Sequence, residues 1–180
     1  DPFCGSGTIA IEAALIAKNR APGLDRSFSA QKWKNMDTKL WLEAGDEAMD
    51  KEFHGTYDIW GGDIDPAAVE LAKHNAELAG VEDCIRFEVA DATKFHRDSE
   101  YGQLVTNPPY GERLMEKKEA EDLYRAFGKA MRDMPPKWRI LVLSSHTEFE
   151  RCFGRPADKK RKLYNGMLKC DVFMYGGTVR

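Results

Sequence analysis

The apolar positions of the chain recur with two alternating periods. Ile9, Ala13, Ile16 and Ala17 stand three and four residues apart and predict a helix over residues 9–19. The small side chains of Ala10, Ala13 and Ala14 suit close packing on a sheet. Ala68, Leu71, Ala72 and Leu78 repeat the spacing over 67–79, where Pro66 opens the helix without needing an N–H and Gly80 ends it. Leu123, Phe127, Ala130 and Met134 do the same over 121–134, and Pro135-Pro136 stops the run. Between the helices lie short apolar stretches: 57–62, 84–89 with the alternating IRFEV, 101–106, and 138–144 with RILVLS, which reads as a central strand. Asn165-Gly166 between apolar flanks signals a closing hairpin, with 170–175 as its second arm. Strands alternating with helices and then a hairpin predict an α/β fold: a doubly wound sheet, mostly parallel, with a C-terminal antiparallel hairpin.

Three stretches fit this rhythm less well. In 21–56, Pro22-Gly23 breaks the first helix, and Trp33, Met36, Leu40, Trp41 and Ala44 then predict one or two amphipathic helices. This is an insertion before the second strand, with Trp33 and Trp41 expected in the core. Arg20, Arg26, Lys32 and Lys34 make it either a solvated face or a substrate-facing flap. Residues 111–119 are charged and read as a flexible segment. The basic run Lys159–Lys162 reads as a solvated loop, or as one that meets a phosphate backbone.

At 180 residues the chain is one domain, long enough to bury a sizeable core. A net charge of -3 gives no global attraction to nucleic acid, so any polyanion has to be met by a local basic patch. No run approaches a membrane span and no secretory signal is visible. Cys4, Cys84, Cys152 and Cys170 are far apart and form no CxxC pair, so no metal is expected and the thiols read as reduced, in a cytoplasmic protein. The chain opens on a glycine-rich loop of the kind that normally follows a buried strand. The expectation is that the first strand is missing and that 1–180 is a fragment of a longer protein.

That opening loop, Asp1-Pro2-Phe3-Cys4-Gly5-Ser6-Gly7-Thr8, carries candidate chemistry. Gly5 and Gly7 allow backbone to approach a ligand, and the helix N-terminus beyond them offers free N–H groups. It is neither the GxGxxG of dinucleotide binders nor a phosphate loop ending in Lys-Ser/Thr. It suits a cofactor without a large phosphate, such as S-adenosylmethionine, whose ammonium Asp1 can receive; the alternative is a tight turn with no ligand. Asp63, at the carboxyl end of the second strand, is placed to hold a ribose diol, with Ile64 packing on the adenine. Asp65 reads as a helix cap. Asp91 is either an acceptor for an adenine amino group or a turn residue. The cofactor-binding set is therefore Asp1, Phe3, Gly5, Gly7, Thr8, Asp63, Ile64, Asp91, Ala92 and Asn107.

Asn107-Pro108-Pro109-Tyr110 follows the fourth strand and is delivered to the same sheet edge. The Asn107 side-chain oxygen and the Pro108 carbonyl can each accept one hydrogen of an exocyclic amine. The prolines fix the backbone, and Tyr110 offers a face for a base to stack on. The catalytic set is Asn107, Pro108 and Tyr110; the bland alternative is a strand-ending turn with a packed tyrosine. His146, after the fifth strand, is expected to cap or to lie at the surface.

DPFCGSGTIAIEAA, GDIDPAAVELAKHNAELAG, DAT at 91–93, NPPYGERL and KLYNGMLKCDVFMY together resemble the class I S-adenosylmethionine-dependent methyltransferases. More narrowly, the chain looks like the catalytic domain of RNA methylases that carry a THUMP domain and modify guanine at its exocyclic N2 amine. The resemblance covers nearly the whole chain. It implies a Rossmann-like sheet, S-adenosyl-L-methionine as cofactor, no metal, and ribosomal or transfer RNA as partner, captured with help from an absent N-terminal domain. NPPY alone is shared with adenine-N6 DNA methylases, which leaves that activity open, as it does a silent module that binds RNA or cofactor without turnover. A methylase of a small molecule or a protein amide is a further alternative.

Overall fold

The computed structural model describes residues 1–24, 26–110 and 117–176. Among them, two sheets form. β1 (Ile59–Asp63) pairs in parallel with β2 (Ile85–Val89). β3 (Tyr101–Thr106) pairs in parallel with β4 (Lys137–Ser144). The antiparallel hairpin of β5 (Lys159–Asn165) and β6 (Leu168–Tyr175) then joins β4 through β6, giving the order β3-β4-β6-β5. The parallel pairings and the antiparallel end expected from the sequence are thus present, divided between two sheets.

The opening residues tie the two sheets together. The Asp1 nitrogen donates to Trp60 O at 2.9 Å, Gly62 N to Asp1 O at 2.8 Å and Cys4 N to Gly62 O at 2.8 Å, so 1–4 lie along the free edge of β1. On the other side, the Thr106 hydroxyl at the end of β3 donates to the Asp1 carboxylate. The carboxyl ends of β1 and β3 are therefore held to one short segment.

Each sheet has its own core. On the first, α1 (Thr8–Ala17) and α3 (Pro66–Leu78) bury Ala10, Ile11, Ala14, Val69, Ala72 and Ala76 against Ile85 and Phe87. The buried faces differ from those the spacing predicts: Ile16, Leu71 and Leu78 are exposed. Small side chains let both helices lie close to the strands, and the bulkier residues turn outward. Asp65 caps α3 by accepting from Ala67 N, and Gly80 at φ 65° ends it, both as expected.

On the second sheet, α4 (Lys117–Arg132) buries Ala120, Tyr124, Phe127, Gly128 and Met131. Leu123 and Ala130, expected on this face, sit at its margin because Tyr124 and Gly128 occupy its centre. A Cβ on Gly128 would stand 2.1 Å from Phe153 O, so only glycine lets α5 (Phe149–Phe153) pack this closely. Phe149 meets Phe173 at 4.6 Å and Tyr124 at 4.9 Å, and Phe153 meets Tyr175 at 4.7 Å. Each such pair adds about 0.5–1.5 kcal/mol beyond its burial.

Two further expectations are corrected. The 21–56 insertion forms one α-helix, α2 (Thr38–Asp50), and a short 3-10 turn, and neither buries a residue. Trp33 is 61% exposed, and Trp41 rests on Phe28 at 5.7 Å rather than in either core. Amphipathic spacing here marks a helix lying against its own insertion, without a sheet face to cover it. The run Lys159–Lys162 is the first half of β5 and not a loop, because pairing with β6 satisfies its backbone while its side chains stay exposed. The charged stretch after Tyr110 lies outside the described residues as far as 116; Lys117 to Glu119 belong to α4.

Candidate active site

The site lies where β1, β2 and β3 end. The glycine loop is stretched between two of these ends. Gly5 N donates to Asp63 Oδ2 at 2.9 Å, while Asp63 Oδ1 accepts from Asp65 N at 3.0 Å. At the far side, Asp1 Oδ1 accepts from Phe3 N and from the hydroxyl of Thr106, the residue before Asn107. Ala90 N donates to Asp63 O at 2.9 Å and brings the segment after β2 to the same place. The loop, both acids and the Asn-Pro-Pro-Tyr turn therefore share one edge, as the sequence predicts.

The two loop glycines have different reasons for being there. Gly7 has φ 84°, and a Cβ on it would stand 3.0 Å from Ala72 Cβ and 3.1 Å from Phe87 Cζ. It is a packing glycine that seats the loop on α3. Gly5 has φ 51°, and nothing lies within 4 Å of where its Cβ would be. That side of the loop is open. Ile64 is 72% exposed beside Asp63, an apolar surface left uncovered at the same edge. Thr8 is exposed at the start of α1, its hydroxyl 3.2 Å from that of Ser6. Phe3 packs edge-on to Phe127 at 5.1 Å, so its ring faces the core and only its backbone joins the loop. Burial pushes the Cys4 thiol up to about 11, which leaves it protonated and inert.

Asp91 caps a short 3-10 turn of residues 92–94 through Thr93 N at 2.9 Å and Thr93 Oγ1 at 2.7 Å. The Thr93 hydroxyl holds its carboxyl below the usual range. Its other oxygen lies 3.4 Å from Lys94 Nζ, and Ala92 beside it is buried.

The Asn-Pro-Pro-Tyr turn, the candidate clamp for an exocyclic amine, is held from α4 and approached from β6. Pro108 is fully buried and Asn107 is exposed. The Tyr110 hydroxyl donates to Asn107 Oδ1 and lies 3.9 Å from Cys170 Sγ on β6. Burial raises the Tyr110 pKa, so its hydroxyl remains a donor. Tyr124 on α4 donates to the Pro109 carbonyl at 2.6 Å and lies 3.4 Å from Ser144 Oγ at the end of β4. Ser144 Oγ in turn accepts from His146 N at 3.1 Å, and His146 Nδ1 accepts from Glu148 N at 3.2 Å. His146 thus accepts from the N-cap residue of α5, and at 7% exposed it is not at the surface. Its ring packs edge-on to Tyr124 at 5.6 Å.

The sequence reading missed Tyr124, Ser144 and Cys170. Their only sequence signals are a polar residue ending an apolar strand and a tyrosine on an apolar helix face. Among the described residues no group of three or more His, Cys, Asp or Glu could hold a metal ion, and no helix is long and apolar enough to cross a membrane.

A glycine loop at a helix N-terminus, an acid after the next strand and an Asn-Pro-Pro-Tyr turn on one sheet edge define a methyltransferase-type site. The chain belongs to the UPF0020 family, described as the RMKL-like methyltransferase domain, which matches residues 1–173. It is 45% identical to YpsC of Bacillus subtilis (strain 168), over 100% of this chain and 47% of that protein. It is 43% identical to the ribosomal RNA large subunit methyltransferase K/L of Shewanella baltica (strain OS185), over 97% of this chain and 25% of that protein. The chain thus spans half or less of the length of these relatives.

Solved structures agree. SMU.472, crystallised as a complex with SAH, superposes with a TM-score of 0.94 at 41% identity, over 100% of this chain and 48% of that one. A Listeria monocytogenes (str. 4b F2365) protein described as a predicted N6-adenine-specific DNA methylase superposes at 0.90 and 44% identity, over 98% and 46%.

Proposed function

We propose that this domain transfers a methyl group from S-adenosylmethionine to the exocyclic N2 amine of a guanine in RNA, ribosomal RNA in the first instance, in the cytoplasm. The observation that carries the reading is the acceptor pair at 107 and 108. Asn107 Oδ1 takes one hydrogen bond, from Tyr110, and a carbonyl oxygen has room for a second. The Pro108 carbonyl takes none among the described residues. Two acceptors on a turn anchored by the buried Pro108 suit an NH2 group in the plane of a base.

The loop fits the cofactor. The space beside Gly5 admits a group that any Cβ there would crowd. Asp63 keeps lone pairs for a ribose diol, since its two oxygens accept one backbone N–H each. Asp1, Thr8 and the α1 N-terminus would hold the polar end, and Ile64, Asp91 and Ala92 the adenine. When bound, the cofactor supplies an electrophilic methyl on a sulfonium, and the C–S electron pair leaves with sulfur. The chain's own residues position and polarise. Asn107 and Pro108 fix the amine so that its lone pair lies along the line of attack, and their oxygens stabilise positive charge as it grows on nitrogen. The proton is lost to solvent after the N–C bond forms, and no strong base is needed. The target base has to be splayed out of a stack, which favours loops and single strands.

RNA over DNA is supported by the Shewanella baltica relative, which is a ribosomal RNA methyltransferase by name, and guanine by the resemblance carried by NPPYGER and YNG. RNA capture then draws also on regions outside this domain in proteins of this length class. A second reading, an adenine-N6 DNA methylase, is favoured by the description of the Listeria monocytogenes neighbour and uses the same clamp. The test is to incubate the full-length protein with labelled S-adenosylmethionine and unmodified ribosomal RNA, transfer RNA or DNA, and to identify the labelled nucleoside. N2-methylguanosine from RNA is the expected product. N6-methyladenine from DNA would replace the substrate, and cofactor binding with no label anywhere would replace the activity.

A further inference from the structure

We infer that the β5–β6 hairpin is a guide for the phosphate backbone of single-stranded RNA on its way to the clamp, an inference that rests on the RNA reading above. β5 is the outer strand of its sheet, and all seven of its residues are exposed. It carries four consecutive cations. Lys160 is held by Glu150 at 2.7 Å, but Lys159, Arg161 and Lys162 have no ion pair among the described residues. In a chain of net charge -3 this is a local concentration of free positive charge.

The hairpin also reaches the right place. Ser144, the last residue of β4, pairs with Asp171, so Leu168 to Cys170 and their partners Leu163 to Asn165 extend beyond the end of β4. At about 3.4 Å per residue the overhang is roughly 10 Å. Its inner wall touches the clamp through Cys170 Sγ, 3.9 Å from the Tyr110 hydroxyl. Its outer parts offer what an unstacked strand needs. Tyr164 is 71% exposed, beside its cross-strand partner Lys169. An exposed tyrosine is a platform for a flanking base, and a lysine beside it meets the phosphate. The hairpin is a cationic edge that runs towards an exposed tyrosine, and its neighbouring pair, Leu163 and Cys170, brings the Cys170 thiol against Tyr110 on the opposite face.

Lysines on an outer strand have a simpler use, which is to keep sheet edges from pairing with one another. That use needs charge anywhere on the edge and asks for neither an exposed tyrosine nor contact with the site. The two uses separate in one experiment on the full-length protein. A Lys159→Ala/Arg161→Ala/Lys162→Ala variant is compared with wild type for binding a fluorescein-labelled oligouridine across a salt series, and for KM on unmodified ribosomal RNA. Melting temperature and cofactor affinity serve as folding controls.

Three lost phosphate contacts should reduce the slope of log affinity against log salt by about 2, since each contact in a single strand contributes about 0.7. KM for RNA should rise tenfold or more with cofactor affinity unchanged. An unchanged slope and KM beside an active wild type would overturn the guide and leave edge protection. Loss of activity on ribosomal particles with naked RNA unaffected would also overturn it, in favour of a protein contact. If wild type modified no RNA at all, the RNA reading itself would fall, whatever the slope.

Discussion

The Tyr124 hydroxyl donates to the carbonyl of Pro109 at 2.6 Å and so pins the Asn-Pro-Pro-Tyr turn to α4 from behind. Tyr124 is fully buried, and burial raises its pKa, which keeps the proton on the hydroxyl. Its substitution by phenylalanine keeps the ring against Phe149 and His146 but leaves a carbonyl without its donor. Tyr124→Phe is expected to cost about 1–3 kcal/mol of stability. It should lower kcat while leaving cofactor affinity and KM for RNA close to wild type, because it loosens the clamp and touches neither ligand. Equal kcat in the variant would show that Pro109 needs no anchor.

Asp63 has two duties, one structural and one proposed. It accepts from Gly5 N and Asp65 N, and it is assigned the ribose diol. Asp63→Ala should weaken cofactor affinity roughly tenfold to a hundredfold, the value of one or two charge-assisted hydrogen bonds. Calorimetric titration with S-adenosylhomocysteine reads this directly, and an unchanged affinity would remove Asp63 from the cofactor site.

Gly7→Ala tests the packing role assigned to the second loop glycine. The residue sits at φ 84°, and the new methyl would stand 3.0 Å from Ala72 Cβ. Strain and overpacking together should cost about 2–4 kcal/mol. Gly5→Ala, with open space around it, should cost less stability but more cofactor affinity. The reverse ranking in thermal melts and titrations would exchange their roles.

His146 makes stability depend on pH in a defined window. Desolvation lowers its pKa below the usual value of 6.5, against the opposing pull of Glu121 and Glu148 and with help from Lys117 and Arg151. Its 3.6 Å approach to Glu121 is therefore a polar contact of a neutral ring near pH 7 and not a salt bridge. The unfolded chain binds the extra proton first, so this contribution is fully present above about pH 6.5 and is lost as pH falls from there through the folded value. Asp91 and Glu150, whose carboxyls are held low by Thr93 and Lys160, act only in the more acidic carboxylate range. Melting temperatures at pH 7.5 and 5.5 should fall more for wild type than for His146→Gln. Equal falls would mean that His146 titrates alike in both states.

The parts of the site legible in the sequence are those whose chemistry is local. DPFCGSGT, Asp63, Asp65 and NPPY each combine turn residues with a functional group within a few positions, and the structure brings them to one edge. Tyr124, Ser144 and Cys170 were not legible, because they act on the clamp from α4, β4 and β6, and no short pattern records that packing. Helix faces were read partly wrong for a related reason. In α1 and α3 alanine does the packing, and hydrophobicity alone ranks Ile16, Leu71 and Leu78 above it. The KKRK strand was hidden because pairing with β6 is set by the Asn165-Gly166 turn and not by the side chains of β5.

The most direct test of the clamp is single-turnover methyl transfer by Asn107→Ala in the full-length protein, with S-adenosylhomocysteine affinity measured alongside. Asn107 Oδ1 is the acceptor assigned to the amine, and its loss should slow transfer by about 10²–10³-fold with cofactor affinity nearly intact. Transfer at the wild-type rate would contradict the account, since the amine would then be held by something other than Asn107 and Pro108.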